Sequence, residues 1–214
     1  MINFLKKKSS WGFEYCEDSM TSFVFEYLAI IARANLWSII KEACNILDDS
    51  NPGDLMDVDF WPHWHEGKFN VRYVEPDVFM KFEHLNVIIE VKRNDRTLQY
   101  PGQWINEIES FRKTYVNNPE PLIVVAVNGN LSYNMEKFDG ICVYKTSWPR
   151  ICDATLKRIG TIRNYQREWM RAMFEIIGVK PFYAISTWLD NPEPLMIDND
   201  AINSIEKIFM VKKN

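Results

Sequence analysis

The feature that most constrains this chain is a short apolar stretch, LNVIIEVK at 85–92, which carries a glutamate and a lysine near its end. Its β-branched residues favour a β-strand, and its nearly continuous apolar character favours burial on both faces. Side chains alternate along a strand, so Glu90 and Lys92 point to the same face. A carboxylate and an ammonium are costly to bury without partners. The stretch therefore predicts a polar site within the fold.

The preceding segment predicts a partner strand for this stretch. Residues 74–82, VEPDVFMKF, are also rich in β-branched and aromatic residues, and Glu83 and His84 follow where a hairpin would turn. If 75–82 pairs with 87–92, Asp77 comes alongside Glu90 or Lys92. Such a cluster suits Mg²⁺, which is usually held by one or two carboxylates together with waters and a substrate phosphate.

The remaining elements predict an α/β fold with a mixed sheet flanked by helices. We expect a long helix from Thr21 to about Leu47, preceded by a cap at Asp18 or Ser19. Its apolar stripe would comprise Phe23, Tyr27, Ile30, Ile31, Ala34 and Ile40. Further along the chain we expect a helix at 101–115 that starts with proline, strands at 121–129 and 140–144, and a helix at about 152–177.

Composition and length indicate one sizeable core, because 47% of the 214 residues are hydrophobic. We expect the core domain at 1–150 and a helical extension at 151–214 packed on the same domain. No stretch approaches the roughly 20 apolar residues of a membrane span, and the N-terminus does not resemble a signal peptide. These features predict a cytoplasmic protein with no membrane partner. The four scattered cysteines predict free thiols rather than a disulfide framework.

Pro76-Asp77 followed by Glu90-x-Lys92 in a hairpin resembles the motif of the PD-(D/E)XK nuclease superfamily. The resemblance covers roughly residues 17–129. It implies a restriction-endonuclease-like fold and a Mg²⁺-dependent nuclease in which Mn²⁺ can substitute. It also implies that Asp77, Glu90 and the carbonyl of Val91 bind the metal and that Lys92 assists the attacking water.

The superfamily implies a DNA endonuclease of restriction, phage defence or repair, acting on DNA rather than RNA as a homodimer or as a subunit of a defence complex. The alternative is an inactive module that keeps the nuclease fold for nucleic-acid binding or assembly. Many members add a glutamate from the first helix, for which Glu17 is preferred and Glu26 is the alternative. Some add a glutamine after the lysine strand, for which Gln103 is preferred over Gln99.

Two further groups invite hypotheses from their spacing alone. His63 and His65 would share a strand face, but a zinc site would need further ligands, so they could instead line the cleft. Arg163 and Arg167 have no acid three or four positions away on the expected helix. We therefore hypothesise that these arginines contact the phosphate backbone of a nucleic acid, unless they form a solvated face or pair with acids on another helix.

Overall fold

Six strands form one mixed sheet in the computed structural model, which describes residues 7–8, 16–48, 51–64, 73–93, 97–159, 171, 174 and 178. The strands are β1 (Leu55–Phe60), β2 (Val78–Phe82), β3 (Asn86–Val91), β4 (Leu122–Val127), β5 (Glu136–Phe138) and β6 (Ile141–Thr146). Their order in the sheet is β1-β2-β3-β4-β6-β5. Strands β1 to β3 are antiparallel, β3, β4 and β6 are parallel, and β5 pairs antiparallel with β6.

Helices cover both faces of this sheet. They are α1 (Glu17–Ile31), α2 (Leu36–Ala43), α3 (Pro101–Thr114) and α4 (Trp148–Ile159). Apolar residues of α1, α2 and α4 form one core with one face of the sheet, and those of α3 form a second core with the other face. The predicted α/β class and the mixed sheet flanked by helices are confirmed.

The long first helix was predicted wrongly at its start and in its length. The helix begins at Glu17 because Cys16 is its N-cap residue, and the N–H of Cys16 donates to the Ser19 hydroxyl at 2.9 Å. Ser19 is therefore the third residue of the helix and not its cap. The helix ends at Ile31, and a 3-10 turn over Arg33–Asn35 leads into α2 at an angle of 95°. The guanidinium of Arg33 donates to the carbonyl of Leu55 at the start of β1, which anchors the bend.

The length of the strands gives a physical reason for the bend. A straight helix over the predicted range would extend about 40 Å at 1.5 Å per residue. A six-residue strand spans only about 20 Å, so two shorter helices cover the sheet better. The predicted stripe is wrong at Ile30, which is 73% exposed, and at Ala34, whereas Ile40 is buried and Phe23 and Tyr27 pack against the core. The buried hydrophobic residues of α1 are Met20, Val24, Phe25 and Leu28.

Other elements lie near their predicted positions. Helix α3 begins at Pro101 as expected, and β4 and β6 occupy the two predicted apolar runs. The three-residue β5 was not predicted, because it is too short to show a pattern. Helix α4 begins at Trp148, earlier than expected, and its described part ends at Ile159.

The described residues all belong to the first of two compact units, which spans Met1–Phe182. The proposed division of the chain at residue 150 stays a prediction. All four cysteines are free thiols, as expected. Within the described residues no single helix is long and apolar enough to cross a membrane, and only the bent pair of α1 and α2 together reaches that length and composition.

A candidate metal-binding site at the edge of the sheet

The candidate site lies at the carboxyl end of β3, on the face that α3 covers. Glu90 shares this face with Ile88, which belongs to the core under α3, because the two are two positions apart on the strand. Glu90 is only 2% exposed. The ammonium of Lys92 donates to Glu90 Oε1 at 2.6 Å, and its side chain is 13% exposed. The pair predicted from the apolar stretch is therefore formed, with Glu90 buried and Lys92 partly buried.

Asp77 reaches this pair through the register of the hairpin. Val78 pairs with Ile89, so Asp77, one residue earlier, comes alongside Glu90. Its Oδ2 accepts the N–H of Val91 at 2.8 Å, which orients the carboxyl group. Burial raises the pKa of Asp77 well above its usual range, the neighbouring Glu90 charge raises it further, and the Val91 hydrogen bond lowers it. The structure thus brings Asp77, Glu90 and Lys92 together.

Of the two helix glutamates, the structure brings Glu17 to the cluster. Glu17 is the first residue of α1, and its Oε2 accepts the N–H of Arg93 at 2.6 Å. Its Oε1 lies 3.9 Å from Lys92 Nζ. Glu26 lies nine residues further along, about 13 Å at the helical rise, and accepts a hydrogen bond from the Ser22 hydroxyl.

Of the two glutamines, Gln99 touches the site and the preferred Gln103 reaches it only indirectly. The Gln99 amide donates to the carbonyl of Glu90 at 3.3 Å, and its oxygen accepts Trp104 Nε1 at 3.2 Å. Gln99 reaches this position because the chain after β3 passes the end of β4, where the N–H of Gln99 donates to the carbonyl of Gly129 at 2.8 Å. Gln103 lies close enough to the Glu107 carboxyl to lower its pKa.

Glu107 is a site residue that the sequence interpretation missed. It lies on α3, is 1% exposed, and interacts with the carboxyl group of Glu90. Among the described residues, no hydrogen-bond donor satisfies either oxygen of Glu107 or Oε2 of Glu90. Helical spacing contains a signal, because positions 104, 107, 108 and 111 fall on one face, and Trp104, Ile108 and Phe111 are apolar.

Glu90 and Glu107 differ from ordinary surface acids in their pKa values. Burial raises the pKa of Glu107 to about 8, and contact with Glu90 lowers it in part. Burial also raises the pKa of Glu90 well above its usual range, the Glu107 charge raises it further, and Lys92 lowers it. Two carboxylates offer each other no donor, so a hydrogen bond between them needs a proton on one of them.

The residues at this edge fit a hard divalent cation. Asp77 and Glu90 supply two neighbouring carboxyl groups, and Glu90 Oε2 lacks a donor. Mg²⁺ commonly uses one or two carboxylates and completes its shell with water. Within the described ranges, no group of three or more His, Cys, Asp or Glu side chains could hold a metal ion. A zinc site would need such a group, and because His65 lies outside the described residues, the zinc hypothesis for His63 and His65 stays a hypothesis.

The remaining predicted residues lie away from the cluster or outside the described residues. His63 contacts Glu75, with 2.5 Å between Nε2 and Oε2, and stacks on Tyr73 with 4.7 Å between ring centroids. His65, Arg163 and Arg167 lie outside the described residues.

Comparison with known proteins adds little to this geometry. No family model matches the chain, and no curated protein matches it. Among solved structures, the chain is similar to the small subunit of the heterodimeric restriction endonuclease R.BspD6I, with a TM-score of 0.30 and 10% sequence identity. The match covers 80% of this chain and 95% of that subunit. A similarity of this size transfers neither a residue role nor an activity.

Proposed function

We propose that this chain is a divalent-metal-dependent nuclease of the PD-(D/E)XK type, with a restriction-endonuclease-like fold and DNA as its substrate. The observation that carries the proposal is the convergence of Asp77, Glu90 and Lys92 in one buried cluster at the end of a hairpin. The sequence of that hairpin resembles the superfamily motif. A salt bridge on an exposed hairpin would not need to bury two carboxyl groups beside one lysine.

Each side chain in the cluster has a distinct proposed task. Asp77, Glu90 and the Val91 carbonyl would hold Mg²⁺ or Mn²⁺. Glu17, at the start of α1, would complete the site once its carboxyl group turns towards Asp77 and Glu90, because the three carboxyl groups as placed do not form a metal-binding group. When bound, the cation would lower the pKa of a water and stabilise charge on the phosphate. Lys92 would orient the attacking water and offset negative charge as the phosphodiester bond breaks.

The protein also holds these groups in fixed positions. The N–H of Val91 fixes Asp77 Oδ2, and the Lys92 ammonium fixes Glu90 Oε1. Gln99 ties the main chain of Glu90 to the end of β4 by donating to the carbonyls of Glu90 and Val127, each at 3.3 Å. Catalytic groups held in this way need little rearrangement during reaction.

Cleavage assays with matched variants test the proposal. Plasmid, linear duplex, single-stranded DNA and RNA would be incubated with the full chain in Mg²⁺, Mn²⁺ or EDTA. We expect Asp77→Asn and Lys92→Met to slow cleavage by at least about 100-fold, the scale found when one charge-stabilising group is removed. The matched controls are Asp57→Asn and Lys81→Met, because both residues are exposed on neighbouring strands.

The assay also separates the alternative function. If Asp77→Asn or Lys92→Met cuts at the wild-type rate with an unchanged circular dichroism spectrum, the assigned roles are wrong. If the wild-type chain binds nucleic acid but cuts none of the four substrates in either metal, the inactive nuclease-fold module is the better description.

A further inference from the structure

We propose that the stacked rings of His63 and Tyr73, the aromatic pair, bind an unpaired base of DNA on the segment that leads into the metal site. The inference rests on the proposed function, because it takes the ligand to be the nucleic acid that the site would cut. It adds a contact outside the hairpin motif. It also names the form of the substrate, a DNA strand with an unpaired base close to the cleaved bond.

The aromatic pair stays exposed to solvent. The two ring centroids lie 4.7 Å apart, and the ring planes are inclined by 24°. The His63 side chain is 67% exposed, and Tyr73 is 53% exposed. Aromatic side chains more often contact each other inside a core, as Trp64 and Phe79 do on the α3 face of the sheet. An exposed stacked pair therefore offers ring surface to a ligand that has a flat ring of its own.

The protein orders the aromatic pair before a ligand arrives. Trp64 and Val74 exchange main-chain hydrogen bonds of 2.9 and 3.3 Å, which join the two segments that carry the rings. Nε2 of His63 lies 2.5 Å from Oε2 of Glu75, and the Lys8 ammonium donates to the other oxygen of Glu75. Lys8 also offsets the negative charge of Glu75, which would otherwise repel phosphate groups. Binding to rings that are already ordered costs little conformational entropy.

The aromatic pair lies within a few nucleotides of the proposed cleavage site. Tyr73 precedes Asp77 by four residues, so their Cα atoms are at most about 14 Å apart. The N–H of Trp61 donates to the carbonyl of Asp77 at 3.1 Å, so the segment that carries His63 is tied to the same residue. Each strand of B-DNA carries one phosphate per about 3.4 Å, so a span of about 14 Å corresponds to roughly four nucleotides.

An unpaired base is the part of DNA that an exposed aromatic pair can bind. In a duplex the faces of each base are covered by its neighbours, whereas the bases of a single strand or a fork are free to stack on aromatic side chains. Such stacking tolerates any sequence and strengthens binding by roughly 5- to 150-fold per base. The aromatic pair therefore predicts a preference for single-stranded or forked DNA over a blunt duplex.

Fluorescence anisotropy of labelled DNA, measured with the full chain in EDTA, tests the inference without cleavage. The probes are a single strand, a fork and a blunt duplex of the same sequence. We expect Tyr73→Ala and His63→Ala to weaken binding to the single strand and the fork by roughly 5- to 150-fold and binding to the duplex by less than about twofold. Tyr73→Phe keeps the ring and should bind like wild type. Tyr133→Ala is the matched control, because Tyr133 is also exposed and packs against Arg150 at 4.1 Å.

A fork whose unpaired arms lack bases provides a second measurement. This probe keeps every phosphate, so it separates stacking from electrostatic attraction. We expect wild type to bind it about as weakly as Tyr73→Ala binds the normal fork, and Tyr73→Ala to bind both forks alike. Wild-type affinity of Tyr73→Ala for the normal fork, or equal losses on fork and duplex with an unchanged circular dichroism spectrum, would overturn the inference.

The two measurements separate this inference from the proposed function. If wild type binds the normal fork more tightly than the fork without bases, but cuts no DNA in Mg²⁺ or Mn²⁺, the nuclease activity fails and the aromatic pair stands as a base-binding site. If wild type cuts DNA but binds both forks alike, the base-binding site fails and the nuclease activity stands.

Discussion

Replacing Glu107 with Gln should change how the stability of the protein depends on pH. Burial raises the pKa of Glu107 from its ordinary 4.5 to about 8 in the folded chain. Between these values the folded state holds a proton that the unfolded chain has lost. The stabilisation from this group is therefore complete below pH 4.5 and is lost as the pH rises towards 8.

The size of the effect follows from the same pKa values. One proton changes the free energy of unfolding by about 1.4 kcal/mol for each pH unit. Across the interval from 4.5 to about 8 the loss reaches on the order of 5 kcal/mol. This value is an upper limit, because Glu90 and Asp77 compete for protons in the same cluster. Glutamine cannot ionise, so the variant should lose this part of the pH dependence.

Urea denaturation from pH 5 to pH 9, followed by circular dichroism in EDTA at constant ionic strength, measures the effect. We expect the stability of wild type to fall relative to that of Glu107→Gln throughout the interval from 4.5 to about 8, so that the two curves lie closest at pH 5 and the variant is more stable at pH 8.5. Glu109→Gln should follow the wild-type curve. Parallel curves for wild type and Glu107→Gln would show that Glu107 does not take up a proton on folding.

Four substitutions elsewhere test packing, a buried hydrogen bond and an exposed ion pair, each by the urea midpoint. A Cβ at Gly129, where φ is +66°, would lie 2.3 Å from the Thr97 carbonyl oxygen, whereas one at Gly140, where φ is +81°, meets nothing within 4 Å. Gly129→Ala should therefore destabilise the fold by roughly 1–3 kcal/mol more than Gly140→Ala, and equal effects would refute the clash. Thr146→Val removes a buried 2.7 Å hydrogen bond to the Ala43 carbonyl and should lower the free energy of unfolding by about 1–3 kcal/mol; an unchanged midpoint would contradict this. Glu42→Gln weakens the ion pairs with the exposed Lys157 and Arg158, and it should change the free energy of unfolding by less than about 1 kcal/mol. A larger loss would contradict the small contribution expected of exposed ion pairs.

The hairpin part of the site was predictable because its geometry is local. Asp77 and Glu90 belong to neighbouring antiparallel strands, so strand periodicity and a short turn are enough to place them side by side. Glu90 and Lys92 share a face for the same reason. The burial of these groups follows from the apolar residues around them in the sequence.

The helical part of the site was less predictable because it depends on contacts between distant segments. Gln99 reaches Glu90 only because the chain after β3 doubles back across the end of β4. Glu107 reaches Glu90 because of how α3 is rotated against the sheet, which the spacing of its apolar residues indicates only in part. The bend after α1 is anchored by a bond from Arg33 to Leu55, which is 22 residues away in the sequence, so local spacing does not indicate it.

The outer strands of the sheet also limit how this protein can assemble. An edge strand with free backbone groups invites pairing with another chain, and natural proteins blunt such edges with charges, bulges and short strands. At one edge, β1 has an irregular register near Leu55 and exposes Asp57, and the Lys7 ammonium binds the carbonyl of Phe60 at 2.6 Å. At the other edge, β5 has three residues. Both edges therefore carry features that disfavour pairing with a strand of another chain.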